Sequence, residues 1–237
     1  MPLFSATEDV WLGAQLGRKV ARVGLGERPG GAALEIALKE CDFAYARLPT
    51  TETRAVGFLE QLGFRVVDTA LGFECLASDI IDGTEATARF AVPADRGQIE
   101  EIAGTAFRYS RFHLDPAVSM DEANKIKRNW AANFFAGQRG DAMIVGELGG
   151  RIAGFLQVLA NESFCTIDLI ATAQGYERRG IARGMIAFLA KHGDGRRPPA
   201  RIAVGTQAAN VPSCRLYECS GFRLTKSEFI LHYHRQA

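Results

Sequence analysis

The stretch from Thr166 to Met185 constrains the fold more than any other part of the chain. It begins as an apolar strand, breaks into a polar turn around Gln174 and Gly175, and then opens a helix. The helix carries Ile181, Met185, Phe188 and Leu189 at the i, i+4, i+7 and i+8 spacing of one buried face. The sequence therefore predicts a strand, a loop and a helix that packs back against the sheet.

The first turn of that helix predicts an anion site. The first backbone N–H groups of a helix have no partner inside it, and the helix dipole places partial positive charge there. Gly180 and Ala182 are small enough for an anion to approach these groups, and Arg178, Arg179 and Arg183 add full charges. This pattern indicates a phosphate cradle. The alternative is a cationic helix cap that binds no ligand.

A second stretch, Asn210 to Phe222, changes the balance between these interpretations. It predicts a helix that contains Tyr217, ends at Gly221 and places Phe222 in the core. Together the two stretches resemble the GNAT superfamily of acyl-CoA-dependent N-acyltransferases, in its pyrophosphate loop and in its Asn…Tyr…Gly-Phe helix. Glu177 stands where Gln or Arg is usual in that loop, although Arg178 and Arg179 keep the local charge positive.

The resemblance implies a mixed α/β (α+β) GNAT fold with acetyl-CoA as cosubstrate. It implies that the pantetheine arm pairs with the strand that precedes the loop, with the Ile170 amide directed at the thioester oxygen. It also implies that Tyr217 is the general acid, which fits a phenol with an ordinary pKa of about 10. The expected acetyl-CoA-binding residues are Leu169, Ile170, Thr172, Arg178, Arg179, Gly180, Ile181, Ala182, Arg183 and Asn210.

The general base is left open by the sequence. Asp168 lies on the strand beside the expected thioester position, and Gln207, at the end of the next strand, is a hydrogen-bonding candidate on the substrate side. A chain of water molecules is a further route for the proton. No cysteine lies in a motif with His and Asp, so direct attack on the thioester is favoured over a covalent intermediate.

The N-terminal third contains a counterpart of the second stretch. The segment from Leu59 to Arg65 aligns with that from Tyr217 to Arg223, with Leu59 in place of the tyrosine and Glu52 in place of Asn210. It has no phosphate loop before it. We therefore predict a partial GNAT-like domain at residues 1–82 and the acetyltransferase domain at residues 86–237, with a polar linker between them. A chance recurrence of helix, Gly-Phe and strand is the alternative.

Composition excludes several classes of function. The net charge of +1 gives no reason to expect bulk nucleic-acid or membrane binding, and no apolar run near 18 residues or N-terminal signal is present. The five cysteines form no CxxC pair, and His232 and His234 share one strand face without a third ligand in sequence. The sequence therefore predicts a cytoplasmic protein with reduced thiols and no metal.

The acceptor follows from a narrower resemblance. The segments Ala106 to Phe112 and Val204 to Asn210, behind a truncated N-terminal piece, resemble the TDP-fucosamine acetyltransferase family. This implies a TDP-linked amino sugar as acceptor, with Arg111 as a candidate diphosphate clamp; a solvated loop charge is the alternative for Arg111. A protein, peptide or other small-amine acetyltransferase, and a non-catalytic acyl-CoA sensor, remain alternatives. The N-terminal piece is also a candidate dimerisation element.

Overall fold

Within the described residues the chain forms ten strands and seven α-helices. The computed structural model describes residues 4–26, 31–80 and 86–235. The strands are β1 (Phe4–Glu8), β2 (Val20–Leu25), β3 (Phe43–Pro49), β4 (Arg65–Leu76), β5 (Thr87–Phe90), β6 (Ala142–Leu148), β7 (Arg151–Ala160), β8 (Phe164–Thr172), β9 (Arg201–Gln207) and β10 (Arg223–His234). The helices are α1 (Val10–Leu16), α2 (Gly31–Glu40), α3 (Thr53–Gln61), α4 (Arg96–Ala103), α5 (Met120–Phe135), α6 (Ile181–His192) and α7 (Val211–Cys219).

Two local structures follow from a few neighbouring residues. Ser119 and Glu122 form a reciprocal capping box at the start of α5. Gly149 and Gly150 both have positive φ angles, 61° and 74°, and join β6 to β7 in a two-residue hairpin. Strand β1 was not predicted, because its short polar sequence lacks a clear alternation.

All ten strands form one sheet, in the order β1-β2-β3-β10-β4-β9-β8-β7-β6-β5. The last strand of the chain, β10, lies between β3 and β4 of the N-terminal third. Strand β4 in turn pairs with β9 of the C-terminal part. Each half of the chain therefore contributes its final strand to the sheet of the other half.

The internal repeat predicted from the sequence corresponds to this exchange. Strands β2 and β3 are parallel and are followed by α3 and β4, just as the parallel strands β8 and β9 are followed by α7 and β10. Gly63 and Gly221 end the two helices with φ angles of 96° and 88°. The division into residues 1–82 and 86–237 stays a prediction, and its boundary at residues 83–85 lies outside the described residues.

Four apolar clusters cover the sheet. The largest includes Tyr217, Phe222 and Met185 and packs α6 and α7 against the central strands. A second cluster belongs to the N-terminal half, and a third packs α4 and α5 on the opposite face of β6 to β8. Within the described residues, no helix is both long and apolar enough to span a membrane.

Candidate active site

The first backbone amides of α6 have no side-chain cap. Gly180 is the N-cap residue, with φ 80° and ψ −1°, and no side chain accepts a hydrogen bond from the first turn. By contrast, the side chains of Ser119 and Asn210 cap α5 and α7. Because a 12-residue helix presents uncapped amides here, this end can bind an anion. Arg178 has a φ of 61°, which shows how tightly the loop turns before the helix.

Glu177 is held within the loop. Its Oε2 accepts a hydrogen bond from the Gly175 amide at 2.8 Å. Arg179 lies over the Tyr176 ring, with Cζ 5.7 Å from the ring centroid. The loop therefore uses Glu177 to stabilise its own turn, and Arg179 is the one predicted loop residue that does not line the cavity described next.

Strands β8 and β9 separate beside this helix end. They pair only from Phe164 to Ile167 on one side and from Arg201 to Val204 on the other. Strand β8 continues to Thr172 and β9 to Gln207 without further pairing between them. Asp168 is the extra residue of a bulge against β7, where Gln157 pairs with Leu169 and Val158 with Ile167. The gap exposes backbone amides and carbonyls of β8 that can pair with an extended ligand.

This gap opens into a cavity of about 840 Å³. Apart from Arg179, every site residue predicted from the sequence lines it. They are Tyr217, Leu169, Ile170, Thr172, Arg178, Gly180, Ile181, Ala182, Arg183, Asn210, Arg111 and Gln207. The structure thus brings together the loop, the strand and the helix that the two motifs supply.

Tyr217 lines the cavity from α7 and is almost wholly buried. Its side chain is 2% exposed and packs against the Phe73 and Phe222 rings, with centroids 5.8 and 5.6 Å away. Burial raises the pKa of the phenol above its ordinary value, and the nearby Cys214 acts in the same direction. The tyrosine therefore keeps its proton at neutral pH and can act only as a donor there.

Asn210 has a local partner that the sequence did not predict. Its Oδ1 accepts a hydrogen bond from the Ser213 amide at 3.3 Å, which caps α7. The side chain still lines the cavity.

Asp168 is engaged by several donors. Its carboxylate accepts from Arg139 Nε and Nη2 at 2.7 and 2.6 Å and from Trp130 Nε1 at 2.8 Å. Gln157 Nε2 lies a further 3.3 Å away. These bonds stabilise the ionised carboxylate and occupy its oxygens, so Asp168 is poorly placed to take a proton. Its bond to Trp130 instead links the bulge of β8 to α5.

Asp68 is a titratable group that the sequence analysis missed. It lies on β4, lines the same cavity and is 7% exposed. Its buried Oδ2 has no hydrogen-bond partner among the described residues. Burial raises the pKa of this carboxyl to about 6, against the lowering effects of the Thr69 amide and of the Arg47 and Arg111 charges. A lone acid in an otherwise apolar stretch of β4 was the available signal.

A second compartment of about 610 Å³ adjoins the cavity. It shares six residues with the first, among them Arg47, Arg111 and Trp130. Its remaining wall comes largely from the N-terminal half, through Asp9, Trp11, Arg22 and Tyr45. The N-terminal half therefore forms part of the site.

Arg111 lies at the boundary between the two compartments. Its Cζ lies 3.8 Å from the centroid of Tyr45 and 4.5 Å from that of Phe112. The Tyr45 hydroxyl donates to Asp9 Oδ2 at 2.8 Å, so this carboxylate is occupied. No carboxylate lies within ion-pair distance of Arg111 in the part of the chain that the structure describes.

The histidines do not line the cavity. His232 Nδ1 and His234 Nε2 lie 2.5 and 2.8 Å from Asp115 Oδ2, so a third group joins the pair that the sequence showed alone. Burial lowers the pKa of His232 to about 4, which keeps the imidazole neutral as a donor to the Asp115 carboxylate. This network fastens the segment that carries Arg111 to β10. His113 is hydrogen-bonded to Ser110 and Asn124.

Comparisons with known proteins agree with this geometry. The model of the acetyltransferase (GNAT) family matches residues 98–222. The spore coat polysaccharide biosynthesis protein SpsD of Bacillus subtilis is 30% identical over 197 residues, which is 82% of this chain and 68% of SpsD.

Solved structures share the fold at low identity. A GCN5-related N-acetyltransferase from Sphaerobacter thermophilus superposes with a TM-score of 0.66 at 15% identity, covering 98% of this chain and 76% of the other. One from Kribbella flavida gives 0.62 at 13% identity, covering 99% and 88%. The open helix end, the separated strands and the matched segment lead to one conclusion: this chain belongs to the GNAT acetyltransferase family.

Proposed function

We propose that the protein transfers the acetyl group of acetyl-CoA to the primary amine of a small acceptor, with a nucleotide-linked amino sugar as the preferred class. The observation that carries this proposal is the convergence of three features on one cavity. These are the uncapped start of α6, the unpaired edge of β8 and the buried Tyr217 phenol.

The residues fit the parts of acetyl-CoA. The amides from Ile181 to Arg183 and the charges of Arg178 and Arg183 suit the diphosphate. The backbone between Leu169 and Thr172 suits the pantetheine amides. An N–H of this strand directed at the thioester oxygen would stabilise the charge that develops there during attack.

The acid and the base come from different halves of the chain. The acceptor nitrogen attacks the thioester carbonyl carbon, the C–S bond breaks, and Tyr217 donates a proton to the departing thiolate. The proton lost by the nitrogen goes to Asp68, whose pKa near 6 leaves it ionised at neutral pH and still basic enough to accept. Asp68 replaces the unassigned base of the sequence analysis.

Two features favour a small acceptor over a protein or peptide. The segment that contains Arg111 and the N-terminal half wall the acceptor side, whereas a peptide would need an open groove. The name of the SpsD relative refers to polysaccharide biosynthesis, which is consistent with an amino-sugar acceptor.

A panel of amines with acetyl-CoA, followed by release of free thiol, tests the proposal. We expect nucleotide-linked amino sugars to react and simple polyamines and peptides to react poorly. The reverse order would refute the acceptor class, and no thiol release from any amine would favour an acyl-CoA sensor.

Tyr217→Phe separates enzyme from sensor. Loss of the proton donor should lower kcat by about 10²–10⁴-fold while the Kd for CoA changes little. Tyr233→Phe is the matched control, because this residue lies on β10 and does not line the cavity. Equal kcat values for Tyr217→Phe and Tyr233→Phe would show that Tyr217 is not the general acid.

A further inference from the structure

Lys127 is a buried cation that the acetyl transfer just described does not use. It lies on α5, is 9% exposed and lines the main cavity. Its Nζ lies 4.8 Å from the ring centroids of both Phe107 and Trp130. No carboxylate lies within ion-pair distance of it in the described ranges. A lysine so placed has lost its hydration without gaining a counter-ion.

Arg111 is in the same situation and close enough to interact with Lys127. Burial and the Arg111 charge together lower the pKa of Lys127 to about 8, while Asp168 acts in the opposite direction. The Asp168 carboxylate is already occupied by Arg139 and Trp130. Two cations that repel each other are therefore held together without an ion pair to either among the described residues, and the carboxylates of Asp9, Asp68 and Asp168 act on them only at longer range.

These two cations are separate from the cosubstrate diphosphate site. Trp130 contacts both Lys127 and Asp168, which places Lys127 beside the middle of β8. The loop with Gly180 follows the end of β8 at Thr172, about 13 Å farther along the strand at 3.3 Å per residue. A CoA diphosphate at α6 would leave Lys127 and Arg111 without an anion.

We propose that Lys127 and Arg111 form a second anion site, which binds a phosphoryl group of the acceptor, and that Lys127 makes the enzyme select phosphorylated amines. This rests on the proposed function only in assigning the anion to the acceptor. The planar guanidinium of Arg111 can donate two parallel hydrogen bonds to phosphate oxygens, and the ammonium of Lys127 adds a point charge from α5.

Titration with inorganic pyrophosphate in the presence of saturating CoA tests the site. Wild-type protein and Lys125→Met should bind alike, because Lys125 is an exposed lysine on the same helix. Lys127→Met, which keeps an unbranched side chain but removes the charge, should raise the Kd at least about tenfold, and Lys127→Arg should restore most of the affinity. Equal Kd values for wild type, Lys125→Met, Lys127→Met and Lys127→Arg would overturn the proposal. It would also be overturned if Arg111→Met weakened pyrophosphate binding and Lys127→Met did not.

Kinetics with paired acceptors distinguish the source of the anion. A free aminohexose, its 1-phosphate and its nucleoside diphosphate derivative differ in the number of phosphoryl groups, and the last also carries a nucleoside. Lys127→Met should raise KM for the phosphorylated acceptors and leave kcat/KM for the free aminohexose within about twofold. A larger effect on the diphosphate than on the monophosphate identifies a diphosphate site. An equal loss for all three acceptors would mean that Lys127 has no role in selecting the anion.

The two proposals fail in different ways. Absence of thiol release with every amine refutes the acetyltransferase function, while the difference in pyrophosphate affinity between Lys127→Met and Lys125→Met still tests the anion site. Thiol release without discrimination between phosphorylated and free amines refutes only the second site.

Discussion

Lys127→Met should stabilise the ligand-free protein, although it removes a charged group from the binding cavity. The pKa of this lysine falls from an ordinary 10.5 to about 8 through burial and the Arg111 charge. The difference between these two pKa values lowers the free energy of unfolding of the wild-type protein by about 3 kcal/mol at neutral pH. Methionine fills the same space between Phe107 and Trp130 without a charge.

The pH dependence gives this prediction its sign. An unfolded lysine keeps its proton up to its ordinary pKa, whereas folded Lys127 loses its proton near pH 8. Between these values the unfolded state binds more protons, so the stability of the wild-type protein rises with pH relative to the variant. The advantage of Lys127→Met should be complete below pH 8 and should disappear near pH 10.5. The charged groups facing Lys127 are Arg111, Asp168 and, when protonated, His113.

Urea denaturation followed by circular dichroism measures the effect. Wild-type protein, Lys127→Met and Lys125→Met should be compared at neutral pH, pH 9 and pH 10.5, without CoA or phosphate in the buffer. Two results would refute the reasoning: a variant no more stable than wild type at neutral pH, or a stability difference that does not change with pH. Either would mean that Lys127 has a local counter-ion or a structural role.

Three further predictions concern the active site and its support. Gly180→Ala should raise the Kd for CoA about tenfold or more, because a Cβ at φ 80° strains the turn that presents the α6 amides. An unchanged Kd, measured by calorimetry, would show that these amides do not bind the diphosphate. Asp115→Asn should lower the free energy of unfolding by about 2–3 kcal/mol, because one amide oxygen cannot accept from both histidines and from the Ala117 amide. The activity of the folded fraction should fall as Arg111 loses its support. The kcat of the wild-type enzyme should rise with pH through about 6 as Asp68 ionises. Asp68→Asn should have a lower kcat that does not rise in this pH range. The same pH profile of kcat in both proteins would exclude Asp68 as the base.

The sequence predicted the parts of the site that depend on local order. The α6 loop, the α7 helix and the β6–β7 hairpin each carry their signal within a few consecutive residues. The meeting of the α6 loop and the α7 helix in one cavity followed from the family resemblance, and Gly180 and Tyr217 both line that cavity.

Partners that come from distant segments could not be predicted in this way. Alternation of apolar residues shows which face of a strand is buried but does not show which strand lies beside it. The position of β4 beside β9, and with it the arrival of Asp68 in the cavity, therefore had no sequence signal beyond an isolated acid. Lys127 had a weak signal, because it falls within the inward stripe formed by Ala123, Ile126 and Trp130. The engagement of Asp168 by Arg139 likewise depends on the loop after α5.

The crossing of β4 and β10 bears on how the chain is made. Residues 43–49 pair with β2 on one side and acquire their second neighbour only when residues 228–234 are available. Until then a nascent chain emerging from the ribosome presents β3 as an unpaired edge, which is the kind of surface that attracts other chains. We therefore expect newly synthesised protein to depend on chaperones or low temperature until translation ends, whereas the finished molecule, with both halves interlocked, should refold slowly but resist separation of its halves.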